Sequence, residues 1–192
     1  MSSQSFMLKG PDTDGGSRSH ARLDRYLGLL GVTTMEQFAV SLGRYYGAGH
    51  YEAALASAAS IDLLVRTPSA SIMQAISLAG VVNSGADSLL QVYENPETSA
   101  SGTALNALQV NRVSPNVSST LGFRAPTITN LGTLIFQLFT PGGKGGNAIG
   151  GTSSDFQRLH CAPSTDYLIR TTNLGTASKP VSVSLNWIEI PK

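Results

Sequence analysis

A chain of 192 residues is long enough for one domain with a sizeable core, yet only 13% of it is charged, about half the ~25% of an ordinary globular protein. A net charge of +1 without any basic run leaves binding to nucleic acid by counterion release little to work with, and the single cysteine, Cys161, excludes an intrachain disulfide or a cysteine-based zinc cluster. No apolar stretch approaches the ~20 residues that span a bilayer and the first residues lack a secretory pattern, so the expectation is a soluble protein with no membrane partner.

In chain order, residues 1–21 are rich in Ser, Gly and Asp and read as a flexible N-terminal arm that cannot bury much apolar surface alone. From Arg22 to Tyr46 the spacing turns helical. Leu23, Tyr26, Leu27 and Leu30 fit one face, Gly31 interrupts, and Thr33 or Thr34 can cap a second helix. Its face is Met35, Phe38, Ala39, Leu42 and Tyr45, with Glu36 completing a capping box on Thr33. Residues 22–46 are therefore expected to form a helical attachment segment.

Residues 47–192 carry the punctuation of an all-β domain, short apolar or alternating runs between Gly, Pro, Asn and Ser clusters. Strands are predicted at Tyr51–Ala56, Ile61–Arg66, Ile72–Ala79, Ser88–Tyr93, Leu105–Val110, Thr127–Thr129, Thr133–Phe139, Tyr167–Thr172 and Val181–Ile190. In the last, Val181, Val183, Leu185 and Trp187 share one face and Ser182, Ser184 and Asn186 the other, which makes Trp187 a core anchor. Many strands without intervening helices imply a mainly β fold, an antiparallel β-sandwich or jelly roll. No stretch repeats at a fixed period, which argues against a solenoid or propeller.

The candidate chemistry is thin. Gly143, Gly145 and Ala148 in "TPGGKGGNAIGGTSSD" fit a dinucleotide fingerprint, but no amphipathic helix follows to receive a pyrophosphate, and Lys144 precedes Gly145 rather than Ser or Thr. The segment reads as an inter-strand loop linking the Thr133–Phe139 strand to the "YLIRTTN" strand. His160 and Cys161 are strand neighbours and should face opposite ways, so the cysteine reads as buried and structural. The histidines lack metal-ligand spacing, "PDTDGG" lacks the glutamate that closes a calcium loop, and few acidic residues lie beyond residue 100. No catalytic residue, cofactor or metal is expected. An exposed aromatic platform for carbohydrate could come only from Tyr45, Tyr46 and Tyr51.

The succession "SGTALNALQVNRVSPN", "ITNLGTLIFQL", "TDYLIRTTNLG" and "KPVSVSLNWIEI" resembles a group of tailed-phage virion proteins over roughly residues 45–192. Gly102, Thr103, Leu105, Asn111 and Arg112 match the first conserved segment, Tyr167, Leu168, Arg170, Thr172 and Asn173 the second, and Trp187 and Glu189 the last. The resemblance implies a non-enzymatic β-sandwich of the virion, a capsid decoration (cement) or head-fibre type protein, often trimeric. The implied partners are the major capsid protein of the shell and further copies of the chain, a homotrimer, without nucleic acid or membrane. Its place would be the capsid surface after assembly in the host cytoplasm. Phe6, Leu8, Arg18, Arg22 and Lys144 are the candidate interface residues. A tail, neck or head-fibre adaptor of the same fold is the alternative, and a carbohydrate-binding module a more distant one.

Overall fold

The structure is a computed structural model that describes residues 20–23, 30–142 and 156–192. Its elements are β1 (His20–Leu23), β2 (Leu30–Thr33), α1 (Met35–Ser41), β3 (Tyr45–Leu55), β4 (Ser60–Arg66), β5 (Met73–Ser84), β6 (Ser88–Glu94), β7 (Glu97–Ala100), β8 (Thr103–Leu105), β9 (Leu108–Gln109), β10 (Leu121–Arg124), β11 (Thr127–Asn130), β12 (Thr133–Thr140), β13 (Phe156–Cys161), β14 (Asp166–Asn173) and β15 (Lys179–Pro191).

Two sheets hold most of the chain, ordered β12-β6-β14-β4-β10-β8 and β13-β5-β15-β3-β9. The pairing follows one rule. Going out, the chain lays down β3, β4, β5 and β6; coming back, β12 pairs with β6, β13 with β5, β14 with β4 and β15 with β3, all antiparallel. Successive pairs alternate between the sheets, except where β6 turns back to β12 within one sheet. This is a long hairpin rolled into a sandwich, the jelly-roll topology. Between the sheets lie Ile61, Leu63 and Val65 of β4, Ile76, Leu78 and Val82 of β5, Leu90 and Val92 of β6, Tyr167 and Ile169 of β14, and the expected face of β15, Val181, Val183, Leu185 and Trp187. Each large aliphatic side chain buried this way contributes about 1.5–3 kcal/mol.

Several sequence expectations change. The predicted first helix is not formed where it is described: Leu23 ends β1 and Leu30 begins β2, and the two strands pair from His20↔Thr33 to Leu23↔Leu30. Cross-strand pairing satisfies those backbone groups, whereas the helical reading rested on the spacing of four apolar positions, of which Tyr26 and Leu27 lie outside the described residues. The helix that does form is capped by Thr34, and the third-position partner of its capping box is Gln37, not Glu36. It ends at Ser41, so Tyr45 and Tyr46 already belong to β3 rather than to a helical segment. The expected strand at Leu105–Val110 is two strands in different sheets, β8 and β9. The Gly-rich stretch leads not to the "YLIRTTN" strand but to β13, which intervenes.

The excursion between β6 and β12 is built from two similar arms. Pro96, Gly102 and Thr103 recur thirty positions later as Pro126, Gly132 and Thr133, and the aromatic Tyr93 is matched there by Phe123. The excursion is a two-stranded ribbon in which β6 pairs with β12, β7 with β11 and β8 with β10. Both arms kink in the same way. Asn95 (φ 54) and Ala125 (φ 51) take positive φ before their prolines, opposite Gly132 (φ 80) and Gly102 (φ 88). A pseudo-two-fold axis therefore runs between β4 and β14, exchanging β6 with β10 and β8 with β12.

The central strands obey the same axis. Asp62, Leu64 and Arg66 of β4 face Arg170, Leu168 and Asp166 of β14, so that each strand carries Asp-x-Leu-x-Arg. Arg170 clasps Asp62 through Nε and Nη2, each at 2.7 Å, and Arg66 clasps Asp166 at 2.8–2.9 Å. These contacts raise the pKa of both guanidinium groups, the hydrogen bond to the carboxylate being the main cause. Arg66 also lies over the Phe123 ring, 5.6 Å from its centroid. Leu64 and Leu168 are fully buried although they alternate with inward-facing neighbours, so their cover lies outside the sheet. Phe123 stands beside Leu64 and Tyr93 beside Leu168 on that side, and the ribbon is tied to the two central strands at its kinks by Asn95 N–H on the Asp166 carbonyl and Ala125 N–H on the Asp62 carbonyl.

Candidate docking surface

At the end of the sandwich where β3 begins and β15 finishes, α1 and the 110–120 loop are fastened together. The helix closes in a Schellman pattern, with Gly43 N–H on the Val40 carbonyl and Arg44 N–H on the Ala39 carbonyl. The Gly43 carbonyl then becomes a hub: Gln109 Nε2 donates to it at 2.8 Å, Asn116 Nδ2 at 3.1 Å and Tyr46 Oη at 3.1 Å. Asn116 Nδ2 also reaches the Leu42 carbonyl at 3.2 Å. A hydrogen bond from Val113 N–H to Asn111 Oδ1 shapes the loop tip.

The far base of the loop is held from the core. Glu189, only 6% exposed, accepts through Oε1 from Ser119 N–H and Thr120 N–H and lies 2.7 Å from Ser118 Oγ. Ser118 Oγ accepts from Trp187 Nε1 at 3.1 Å. The indole is 1% exposed and stacks on Tyr46 with ring centroids 6.2 Å apart. Trp187 is thus the core anchor expected from its parity, and its one polar atom fixes the loop that covers it.

On this held backbone sit apolar side chains directed at solvent. Val113 is 91% exposed and Val117 84%. Met35 and Phe38 of α1 and Leu42 at its C-terminal cap form an exposed i, i+3, i+7 stripe, while only Ala39 is buried in that helix. Leu108 and Val110 beside β9 are exposed as well. The face predicted to bury the helix is in large part its outer face, with Ala39 its buried residue. Large apolar groups gathered on one end, on loops pinned by hydrogen bonds, are what a protein–protein contact presents, and a pinned backbone has little ordering entropy left to lose on binding.

Of the interface candidates read from the sequence, Phe6, Leu8, Arg18 and Lys144 lie outside the described residues. Arg22 is placed through its backbone alone, opposite Gly31. Four residues of the quoted segments act as fasteners. Gly102 sits at a ribbon kink, Asn111 shapes the loop tip, and Tyr167 Oη accepts from Ala162 N–H and donates to Glu94. Asn173, fully buried, donates to the Leu55 and Ala177 carbonyls and accepts from Gly175 N–H.

The remaining chemistry does not assemble. Cys161 is buried and His160 exposed, on opposite faces as expected, and burial pushes the thiol pKa up to about 12, which is unlike a nucleophile. Tyr46 is buried while Tyr51 is 62% exposed, so the tyrosines form no shared platform. A groove of about 370 Å³ between β3 and β4 holds His50, Glu52 and Asp62, but Asp62 is committed to Arg170. Among the described residues no group of three His, Cys, Asp or Glu side chains is placed to hold a metal. Sequence reasoning passed over Val113 and Val117. The available signal was an apolar residue isolated twice among Asn, Arg, Ser and Pro in "NRVSPNVSS". No family model matches the chain, and no curated protein matches it.

Proposed function

We propose that the protein is a non-enzymatic capsid decoration protein, which seats its apolar end on the outer shell of a tailed phage and stabilises the shell by bridging neighbouring major capsid subunits. The observation that carries the reading is the exposure of Val113 and Val117 on a loop locked by Asn116, Gln109 and Glu189. Burial of one such valine against a partner contributes about 1.5–3 kcal/mol. The phage resemblance supplies the kind of partner, and the jelly roll is a fold used by viral capsid proteins among others. Self-association would let several apolar ends bind one lattice together, multiplying avidity by about a hundred to ten thousand.

The test is rebinding. Purified protein added to stripped shells of its own phage is expected to restore hundreds of copies per particle and to raise the temperature at which shells rupture. Val113→Asp/Val117→Asp should fold as the parent does and fail to rebind. Parent protein that neither rebinds nor stabilises shells defeats the proposal, and a count of a few dozen copies per particle moves the protein to a tail, neck or head fibre.

A further inference from the structure

The apolar end also carries uncompensated positive charge. Residues 34–44 and 108–121, which build it, have Glu36, Arg44 and Arg112 as their only charged side chains. Glu36 is paired with Arg158 of β13. Glu189, which reaches this end from β15, is buried, and its Oε1 is held by the Ser118 hydroxyl and the Ser119 and Thr120 amides. Both carboxylates are thus engaged. Arg44 and Arg112 are exposed, and among the described residues the ion pairs are those of Arg66, Arg158 and Arg170. Arg112 Nη1 reaches the Gln109 carbonyl at 3.5 Å, a weak contact.

Both arginines stand on backbone that is already fixed. Arg44 follows the Gly43 hub; its N–H donates to the Ala39 carbonyl and its own carbonyl accepts from Glu189 N–H. Arg112 lies between Asn111 and Val113, whose N–H is held by Asn111 Oδ1. A guanidinium fork presented in this way matches a carboxylate through two parallel hydrogen bonds, the geometry this chain uses internally between Arg170 and Asp62. A lipid surface fits less well. Exposed Asn116 and Ser119 interleave with the valines, and acyl chains would leave their polar groups and the irregular loop backbone without partners. Two arginines also fall short of the roughly 4–8 basic residues of a lipid-binding cluster.

We propose that this end is received by an apolar patch of the shell subunit bordered by carboxylates, which Arg44 and Arg112 engage while Val113 and Val117 fill the patch. The inference rests on the docking reading above and adds to it the chemistry of the partner. Opposite charges speed the encounter and fix the register in which the apolar groups meet.

The test measures rebinding of purified protein to stripped shells between about 0.01 and about 0.15 M salt, over which the Debye length falls from about 30 to about 8 Å. The parent's affinity should fall about tenfold over that range. Arg44→Gln/Arg112→Gln should bind about tenfold more weakly than the parent at low salt and lose most of the salt dependence, and Arg44→Glu/Arg112→Glu should bind about a hundredfold more weakly. Lys179→Glu, at the opposite end where β15 begins, should bind as the parent does. Each variant replaces an exposed side chain and should keep the parent's circular dichroism and melting temperature. Arginine variants that rebind like the parent with the same salt dependence, beside a Val113→Asp/Val117→Asp protein that does not rebind, overturn this inference and leave the docking reading standing. A parent that does not rebind overturns both. A Lys179→Glu protein as weak as the arginine variants reduces the effect to net charge and overturns the inference. Parent protein that floats with vesicles of phosphatidylserine and phosphatidylcholine, and is released by the arginine substitutions, assigns this end to a membrane and overturns it as well.

Discussion

Replacing Gly132 by alanine tests the ribbon kinks directly. At φ 80 any side chain pays about 1–2 kcal/mol for the left-handed backbone. A methyl there would stand 2.3 Å from the Glu94 carbonyl oxygen and 2.7 Å from the Asn95 carbonyl carbon. Both are backbone atoms of the opposite kink, so nothing flexible can swing aside, and relief requires the ribbon to shift by several tenths of an ångström. Overpacking of this kind costs about 1–3 kcal/mol, and the stiffer unfolded chain returns about 0.4–1. The net expectation is a loss of about 2–4 kcal/mol, or about 4–16 °C in Tm for a domain of this size. Gly102→Ala meets the Arg124 carbonyl oxygen at the same 2.3 Å and, by the pseudo-two-fold, should cost the same within about 1 kcal/mol. Gly122→Ala is the control, because its methyl would meet Leu105 at an ordinary 3.5 Å. Urea unfolding followed by tryptophan fluorescence measures all three. A Gly132→Ala protein as stable as the parent, or a Gly122→Ala protein equally damaged, refutes the account.

Trp187→Ala should cost about 3–5 kcal/mol and release the 118–120 segment, visible as faster amide exchange at Ser119 and Thr120; Trp187→Phe should keep most of the stability and lose the hydrogen bond to Ser118. Breaking the Asp62–Arg170 pair by Asp62→Ala should cost more than breaking Asp166–Arg66 by Asp166→Ala, because the side chains of the first pair are 16% and 23% exposed and those of the second 23% and 40%; the range is about 1–3 kcal/mol, and paired urea titrations decide the order. The raised pKa of Cys161 means that the folded state holds its proton where the unfolded chain would lose it. Stability should therefore decline from about pH 9 to about 12, and Cys161→Val should flatten that limb, leaving the part due to Tyr167, whose pKa burial also raises. Alkaline melting curves of the two proteins test this.

Much of the β domain was legible because a strand half-buried in a sandwich must alternate. The faces of β15 and the opposed placement of His160 and Cys161 follow from that period alone. What failed were elements whose partners lie far away in the chain. β7, β10 and β13 have little apolar alternation of their own and exist because β11, β4 and β5 pair with them. The helical reading failed at Leu23 and Leu30 because apolar residues at that spacing also suit two paired strands. The thirty-residue repeat was present in the letters, but with Pro, Gly, Thr and an aromatic as its main shared residues it gains meaning only when the two arms are seen to kink against each other.

By itself the sequence determined a sparsely charged, mainly β, single-cysteine protein whose core runs through Trp187, since composition and a two-residue period act locally. The tertiary structure decided the rest. It set which strands close the jelly roll, turned the helix stripe outward, and left Val113 and Val117 in solvent above a carboxylate that arrives from the opposite end of the chain. Whether an apolar residue ends in the core or on a docking surface depends on what else is brought over it, and no local pattern encodes that cover.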